Sequence, residues 1–488
     1  MLVMIGAGLG LGRHFAALLG GIPAAPPPVA APALLPASAT SRWHPAFSEV
    51  TTSGGRLVTA SDLAGLAALS AGGPGIGPKA MTDGQGHKFW RFEGSQFLNV
   101  AGSLVCSSRD MSVFMVGRVP RHPPTYNRFL SMGNVAQGTQ VNTLGGPLES
   151  RVVSQSAGHV QSFGKLAYTA ASGSEWLVPG AQKQVIGAAA AAGGTRLFLN
   201  ERFVDVAVAL AATGVGGAEI GRYAWSPGTS GGWGVFDLYE MVVFSPGLAN
   251  AAALAVSEAL MSAHGIVPVQ HQLILEGDSI TQGTGDVSEA LSCAAILTNP
   301  GTTWVPPGWR VINKGISGNQ VGDLVIKRDT ANGWATQKLP GQNVLAFEIG
   351  RNDWVAGGKS AAQHYANVVS YLNTATTGVL QRGWTVRAMA NIAGTSGLMP
   401  VIEAHRASLR SPQFLTDTAS GAGQAFAGRV SIVSTDLIGH NGDTRLLDSD
   451  DASDTTYYAG DSTHPGPLGA EIRVTGGETP QYAVAAGL

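Results

Sequence analysis

Charge is scarce in this chain. Asp, Glu, Lys and Arg make up 13% of its 488 residues, against roughly a quarter in average globular proteins. Neither sign dominates, with 30 Lys and Arg facing 32 Asp and Glu. Without a basic surplus a phosphate backbone has no electrostatic hold on the surface, so nucleic acid is not an expected partner. Cysteine is nearly missing. Cys106 and Cys293 are the two present, they lack metal-site spacing, and both read as buried thiols. Long apolar runs are absent too. "MLVMIGAGLGLGRHFAALLGG" is broken by Arg13 and His14 before the ~18 residues that a membrane span needs. Its first cation follows the apolar stretch, unlike a signal peptide, so the segment is expected to stay on the chain as an anchoring or oligomerising peptide. "IGAGLGLG" fails as a dinucleotide fingerprint, because the third glycine would fall on Leu11 and the proline-rich "PAAPPPVAAPALLPAS" follows where a βαβ unit should be.

Glycine is what the chain has in excess, 67 residues, about twice average usage. The length is too great for one ordinary core, so two or three domains are expected. Residues 1–40 read as the apolar segment and a Pro/Ala linker, 41–268 as one domain and 269–488 as another. From Trp43 to Ile266 the rhythm is that of strands. "KFWRFEG", "SVFMVGRV", "TRLFLNERFV" and "GVFDLYEMVVF" are β-prone runs separated by Gly, Ser, Pro and Asn clusters. One helix is expected at the end of this half, in "SPGLANAAALAVSEALMSAHG", with Asn250 as N-cap and Gly265 as C-cap. The order of these runs resembles the concanavalin A-like, laminin-G-type jelly roll, an all-β sandwich that ends on a strand, a turn and a closing helix. The resemblance implies either glycan contact or a spacer, and no calcium-site residue can be carried over. Gly228-Thr229-Ser230-Gly231-Gly232 matches the nucleophile-elbow pattern, but a strand follows Ser230 where an elbow needs a helix, so it is a chance match.

After Gln272 the rhythm becomes β-α-β-α. The apolar runs "QLILE", "WRVIN", "NVLAFEI", "WTVRAMANI" and "RVSIVST" are spaced by helical lengths, of which "SAAQHYANVVSYLNTATTGVL" is the clearest. This predicts a mostly parallel sheet with helices on both faces, whose reactive loops follow the carboxyl ends of strands. Four such loops carry polar residues: Gly277-Asp278-Ser279-Ile280-Thr281, Lys314-Gly315-Ile316-Ser317-Gly318-Asn319, Gly350-Arg351-Asn352-Asp353 and, near the C-terminus, Asp461-Ser462-Thr463-His464-Pro465.

Serine becomes a nucleophile when a base takes its proton. His464 qualifies if a carboxylate holds its other ring nitrogen, and Asp461 lies three residues upstream. The tetrahedral intermediate needs donors, and the backbone N–H groups of Ser279 and Gly318 with the side-chain amide of Asn352 supply three. Glycine at 318 would let its amide approach substrate unobstructed. Asp278 reads as a loop-orienting residue, and "DSDDASD", Asp448 to Asp454, as a solvated loop without the EF-hand's glycine and glutamate.

The four blocks resemble the SGNH, or GDSL-like, hydrolases over residues 272 to 475. The resemblance puts the family's serine on Ser279, its glycine on Gly318, its asparagine on Asn352, and its aspartate and histidine on Asp461 and His464. It implies an α/β three-layer, flavodoxin-like domain and a serine esterase needing neither metal nor cofactor. Two departures stand out. Arg351 occupies a place where small residues are usual, which would narrow or charge an acyl pocket, and the tail after His464 is short, which would abbreviate a last helix. With the jelly roll beside it, the expected substrate is an O-acetylated bacterial surface polysaccharide. An apolar N-terminus, a linker, a lectin-like domain and an esterase together resemble a bacteriophage or gene-transfer-agent spike or tail fibre. That setting implies an extracellular or virion-surface location, a homo-oligomer such as a trimer, and attachment to other tail proteins through the N-terminus. The alternatives are a secreted carbohydrate esterase with its own binding module and an adhesin that binds glycan without cleaving it.

Overall fold

The structure is a computed structural model. It describes residues 34–100 except 66 and 74, the segments 111–118, 128–134, 139–145, 150–154, 159–163, 182–191, 194–206, 218–222 and 234–282, residue 297, and 305–329, 334–336, 338–421, 424–426, 428–434, 452–466 and 468–469. The N-terminal apolar segment, Cys106, Cys293, Ser230, Asp448 to Asp451 and the tail beyond 469 lie outside the described residues. Among the described residues no helix is long and apolar enough to cross a membrane.

The strand-like runs of the first half form antiparallel sheet. Val235–Phe244 is its central strand, paired on one side with Ser112–Arg118 and on the other with Lys88–Glu93 and Ser41–Trp43. Beyond Ser112–Arg118 come Gln184–Ala191, Gly194–Leu199 and Arg202–Val206 in turn. A second run of pairings joins Arg56–Ala60, Leu69–Ala71, Leu98–Val100, Ala218–Ile220 and Arg128–Asn134. All ten residues of "VFDLYEMVVF" are buried, and the side-chain alternation of a strand, shifted once by the register irregularity between Leu238 and Glu240, explains why. Phe236, Leu238, Met241 and Val243 face a core shared with Trp90, Phe92, Leu98 and Leu130. Tyr239, Val242 and Phe244 face the opposite way, against Phe114, Phe198 and the helix residues Ala253, Val256 and Leu260. Both faces are covered, so the strand has no need of polar alternation.

That helix, Asn250–Ala263, differs from the expected one at its start. Ala249 is the N-cap and makes no side-chain cap hydrogen bond, while Asn250 is already helical. At the end His264 is the C-cap, and Gly265 follows it instead of being the cap. Gly265 takes φ +64° and the Ile266 N–H bonds to the Met261 carbonyl at 2.8 Å, a Schellman closure that favours glycine.

The second half forms a separate, wholly parallel five-stranded sheet in the order Trp309–Asn313, His271–Gly277, Asn343–Glu348, Thr385–Met389, Val430–Val433. In chain order this is 2-1-3-4-5, the flavodoxin-like arrangement, whose switch point lies between strands 1 and 3. Each strand coincides with an apolar run of the sequence. Helices Val321–Asp329, Ala361–Asn373 and Met399–Arg410 lie side by side and place Leu324, Val368, Tyr371, Leu372 and Leu409 in one core with the strand residues Leu273, Leu275, Val344 and Phe347. The helix Ala361–Asn373 opens with a full capping box between Ser360 and Gln363, which is why "SAAQ" starts it so sharply. The second helical layer of the three-layer expectation is not seen among the described residues.

Candidate active site

The strand His271–Gly277 runs straight into the short helix Ser279–Gln282, and the join leaves no room for a side chain at 277. A Cβ on Gly277 would stand 2.2 Å from the Glu348 carbonyl oxygen and 2.3 Å from Thr281 Oγ1. Asp278 turns back to accept the Ile280 N–H at 3.0 Å, the orienting part expected of it. Ser279 is thereby fixed at the carboxyl end of strand 1, 8% exposed, beside the switch point.

The loop after Trp309–Asn313 is tied to this turn from several sides. Asn313 Nδ2 donates to the Thr281 carbonyl at 3.0 Å, and the Gly315 N–H to Asn313 Oδ1 at 3.0 Å. The Ser317 N–H donates to Gln282 Oε1, and Asn319 Nδ2 to the Gly277 carbonyl at 3.1 Å. Gly318 has φ +84°, and a Cβ there would meet nothing within 4 Å. Within the protein, glycine is therefore demanded by the left-handed backbone and not by crowding. Among the described residues no acceptor meets the Gly318 N–H.

After strand 3 the chain turns at Gly350, φ +142°, where a Cβ would stand 2.8 Å from the Trp354 ring and 2.9 Å from His364 Nε2. The helix Arg351–Val355 follows. Asn352 Nδ2 donates to the Asn319 carbonyl at 3.1 Å, which aligns the third loop with the second. Asp353, fully buried, accepts the Val321 N–H at 3.1 Å and Lys359 Nζ at 2.6 Å. It anchors the start of the helix Val321–Asp329.

The last block closes the arrangement. His464 Nε2 lies 2.7 Å from Ser279 Oγ, and His464 Nδ1 lies 2.5 Å from Asp461 Oδ2. The other Asp461 oxygen accepts the backbone N–H groups of Thr463 and His464 at 2.9 and 2.8 Å. Burial pushes the Asp461 carboxyl up, but the His464 backbone N–H, the His464 ring and the Thr463 N–H outweigh it and hold the carboxyl below its ordinary range. With Nδ1–H donated to a carboxylate, the second ring nitrogen is the basic one, and it faces the serine hydroxyl.

Arg351 lies elsewhere than the sequence suggested. It does not charge a pocket. It is 4% exposed and donates three hydrogen bonds to carbonyls, from Nη1 to Thr463 at 3.1 Å and from Nη2 to Ile392 at 3.0 Å and Ala393 at 2.6 Å. The planar fork thus ties the His464 loop to the segment after strand 4. Tyr458 packs beside it in a small apolar cluster with Ile280, Trp354, Ile392 and Ile402. The roles of Arg351, Gln282, Asn313 and Asp353 were not read from the sequence. Their one signal was position, since each is polar and lies at the end of a buried strand or in the first turns after one.

One trio of described residues has metal-ligand types at metal-like separation, His44, Glu240 and His264. It does not suit a metal. His44 Nδ1 accepts the Ala46 N–H at 3.1 Å, so the neutral ring carries its proton on Nε2, the nitrogen facing Glu240, with no lone pair to give. Glu240 is already held by Arg42 Nε at 2.6 Å and His264 Nε2 at 2.6 Å.

No family model and no curated protein matches the chain. Solved structures similar to it include a member of the lipolytic G-D-S-L family from Veillonella parvula, 17% identical over 42% of this chain and 93% of that one, with a TM-score of 0.31. An acetylxylan esterase from Geobacillus stearothermophilus is 20% identical over 46% and 97%, with a TM-score of 0.30. A sialidase from Trypanosoma rangeli is 8% identical over 46% of this chain and 33% of that one, with a TM-score of 0.29. Likeness at this level carries no argument for activity, which rests on the chain's own geometry.

Proposed function

We propose that this chain is a serine esterase with Ser279 as nucleophile, His464 as base and Asp461 as the residue that orients the base. The supporting observation is the continuous Ser279–His464–Asp461 relay at 2.7 and 2.5 Å. His464 takes the Ser279 proton as Oγ attacks the ester carbonyl, and the oxyanion forms against the N–H groups of Ser279 and Gly318 and the Asn352 amide. Collapse of the intermediate breaks the C–O bond to the alcohol, which leaves with the proton from His464. Water, deprotonated by the same ring, then attacks the acyl-enzyme and releases the acid with Ser279 restored.

The substrate proposed is an O-acetylated bacterial surface polysaccharide. The sequence around the four loops shows no extended apolar run that would form a lid, which suits a small acyl group. The antiparallel region before the parallel sheet suits a glycan-presenting module. An oligomeric spike or tail fibre on a virion surface, joined to other tail proteins through residues 1–40, is the setting we propose. Hydrolysis of a short p-nitrophenyl ester should fall about 10⁴- to 10⁶-fold in Ser279→Ala, with the melting temperature preserved. Undiminished turnover would sink the assignment. Acetate release from capsule or lipopolysaccharide, absent with Ser279→Ala, would support the substrate, and binding without release would favour an adhesin. Removal of residues 1–40 should abolish particle attachment while sparing activity; a free secreted enzyme would show no attachment to lose.

A further inference from the structure

Where the antiparallel region meets the amino end of the parallel sheet there is a pocket of about 290 Å³. This is near the lower end of the roughly 300–1,000 Å³ usual for small-molecule sites. It opens beside Trp309, the first residue of strand 2. Ser279 lies at the other end of the sheet, about 20 Å away along strand 1 at roughly 3.3 Å per residue. A ligand in this pocket would therefore be held and not turned over, and the inference stands apart from the esterase reading.

The pocket brings two cations together over one ring. Lys183 Nζ is 4.6 Å and Arg118 Cζ 5.7 Å from the Tyr239 ring centroid. Their counter-charges do not balance. The buried Asp237 carboxylate serves two guanidiniums, with Arg91 Nε and Nη2 at 2.7 and 2.9 Å and Arg118 Nε and Nη2 at 2.9 and 2.7 Å. Lys183 Nζ lies 2.8 Å from the neutral acceptor His87 Nδ1 and 3.6 Å from Asp83, whose Oδ1 accepts the Gln85 and His87 N–H groups, each at 2.9 Å, and whose Oδ2 accepts the Tyr239 hydroxyl at 3.3 Å. Arg91 also feels Glu93, which Lys79 holds at 2.8 Å, so four cations (Lys79, Arg91, Arg118, Lys183) against three carboxylates (Asp83, Glu93, Asp237) leave one positive charge over. Among the described residues no acceptor meets Arg118 Nη1. Burial lowers the Lys183 pKa against the pull of Asp83, and the Arg118 charge adds to the fall, so a further anion beside the ammonium would be favourable. Gln85 and Gln182 also line the pocket. Gln182 gives one N–H to the Val305 carbonyl at 3.2 Å, and a primary amide still has a second N–H and its oxygen to offer. An amide that both donates and accepts matches the hydroxyls of a sugar.

We propose that this pocket binds a carboxylate-bearing saccharide, with its carboxylate between Lys183 and Arg118 and its hydroxyls on the Gln85 and Gln182 amides. The bound unit would anchor an acidic glycan at the seam between the two regions. Calorimetric titration of the full chain with glucuronate, glucose and acetate tests this. Glucuronate should bind saturably and at least about tenfold more tightly than either of the others, a difference of about 1.4 kcal/mol. Lys183→Gln should weaken it by about tenfold or more, and Gln182→Ala by less, with far-ultraviolet circular dichroism confirming that each variant is folded. Ser279→Ala should bind as the wild type does, which keeps this result separate from the fate of the esterase reading. Absence of saturable glucuronate binding, glucose binding equally well, or unchanged affinity in Lys183→Gln would overturn the proposal. Acetate binding as tightly as glucuronate would reduce the site to a simple anion hole and overturn the saccharide part.

Discussion

Among the described residues two short histidine–carboxylate pairs have nearly the same length, one in each region. In the antiparallel region His264 Nε2 stands 2.6 Å from Glu240, with side-chain exposures of 6% and 0%. In the parallel region His464 Nδ1 stands 2.5 Å from Asp461, at 19% and 47%. What separates them is what else each pair meets. Glu240 is also gripped by Arg42, and the His264 ring stacks on His44 at 5.6 Å, so the pair is closed on itself. His464 turns its second nitrogen to Ser279, and the pair is open to a reacting group. A short histidine–carboxylate contact is thus a structural device in one place and a candidate relay in the other.

The most forceful way to break this comparison is to make the same change in both pairs. His464→Asn should lower kcat for a short ester by about 10⁴-fold or more and leave the melting temperature close to wild type. His264→Asn should do the reverse. It should leave kcat per folded molecule intact and destabilise by about 1.5 to 3 kcal/mol, the usual worth of a hydrogen bond to a charged group. A large loss of kcat in His264→Asn, or none in His464→Asn, would collapse the distinction.

A smaller effect is expected from Arg351. Arg351→Met should cost about 10² in kcat, the scale of an ångström-sized misplacement of a reacting group, with KM little changed. Arg351→Lys keeps a charge but not the fork that spans Thr463, Ile392 and Ala393, so it should recover only part of the loss. A rise in KM at constant kcat would show that Arg351 contacts substrate instead of positioning His464.

The smallest effect concerns pH and belongs to His44, the histidine stacked on the closed pair. Burial holds the His44 pKa near 4, with the charges of His264 and Arg42 adding to it against the pull of Glu240. The unfolded chain protonates this histidine near its ordinary 6.5. As pH falls from 6.5 toward 4 the unfolded state takes up more protons, so stability present above that window is lost through it. Burial keeps His405 neutral in the fold as well, which acts in the same direction. The melting temperature should fall over this range, less steeply in His44→Asn. An unchanged slope in that variant would contradict the burial argument.

The open pair was legible in the sequence, and the closed one was not. Ser279, Gly318, Asn352 and His464 each follow a buried strand or a late loop, and parallel strands bring such loops to one edge, so residue type and rhythm sufficed to nominate them. Arg351 illustrates the limit. Its side chain reaches Ile392 and Thr463 because strand 3 lies beside strand 4 and the last loop folds over both, a fact of strand order that no local pattern carries. The Glu240 cluster is equally non-local, since Arg42 comes from a strand almost two hundred residues earlier. The helix start at Asn250 failed for a different reason. An asparagine after Ala249 looks like a cap, but the backbone already turns helical there and its side chain is not used.

The central claim, that Ser279 is poised as a nucleophile by His464, is tested most directly by intact-mass and peptide-mapping analysis after exposure to a fluorophosphonate ester. The account predicts a single phosphonyl adduct on Ser279, formed much more slowly in His464→Asn and absent in Ser279→Ala. No adduct on the folded wild-type chain, or labelling that maps to another residue and persists in Ser279→Ala, would contradict it.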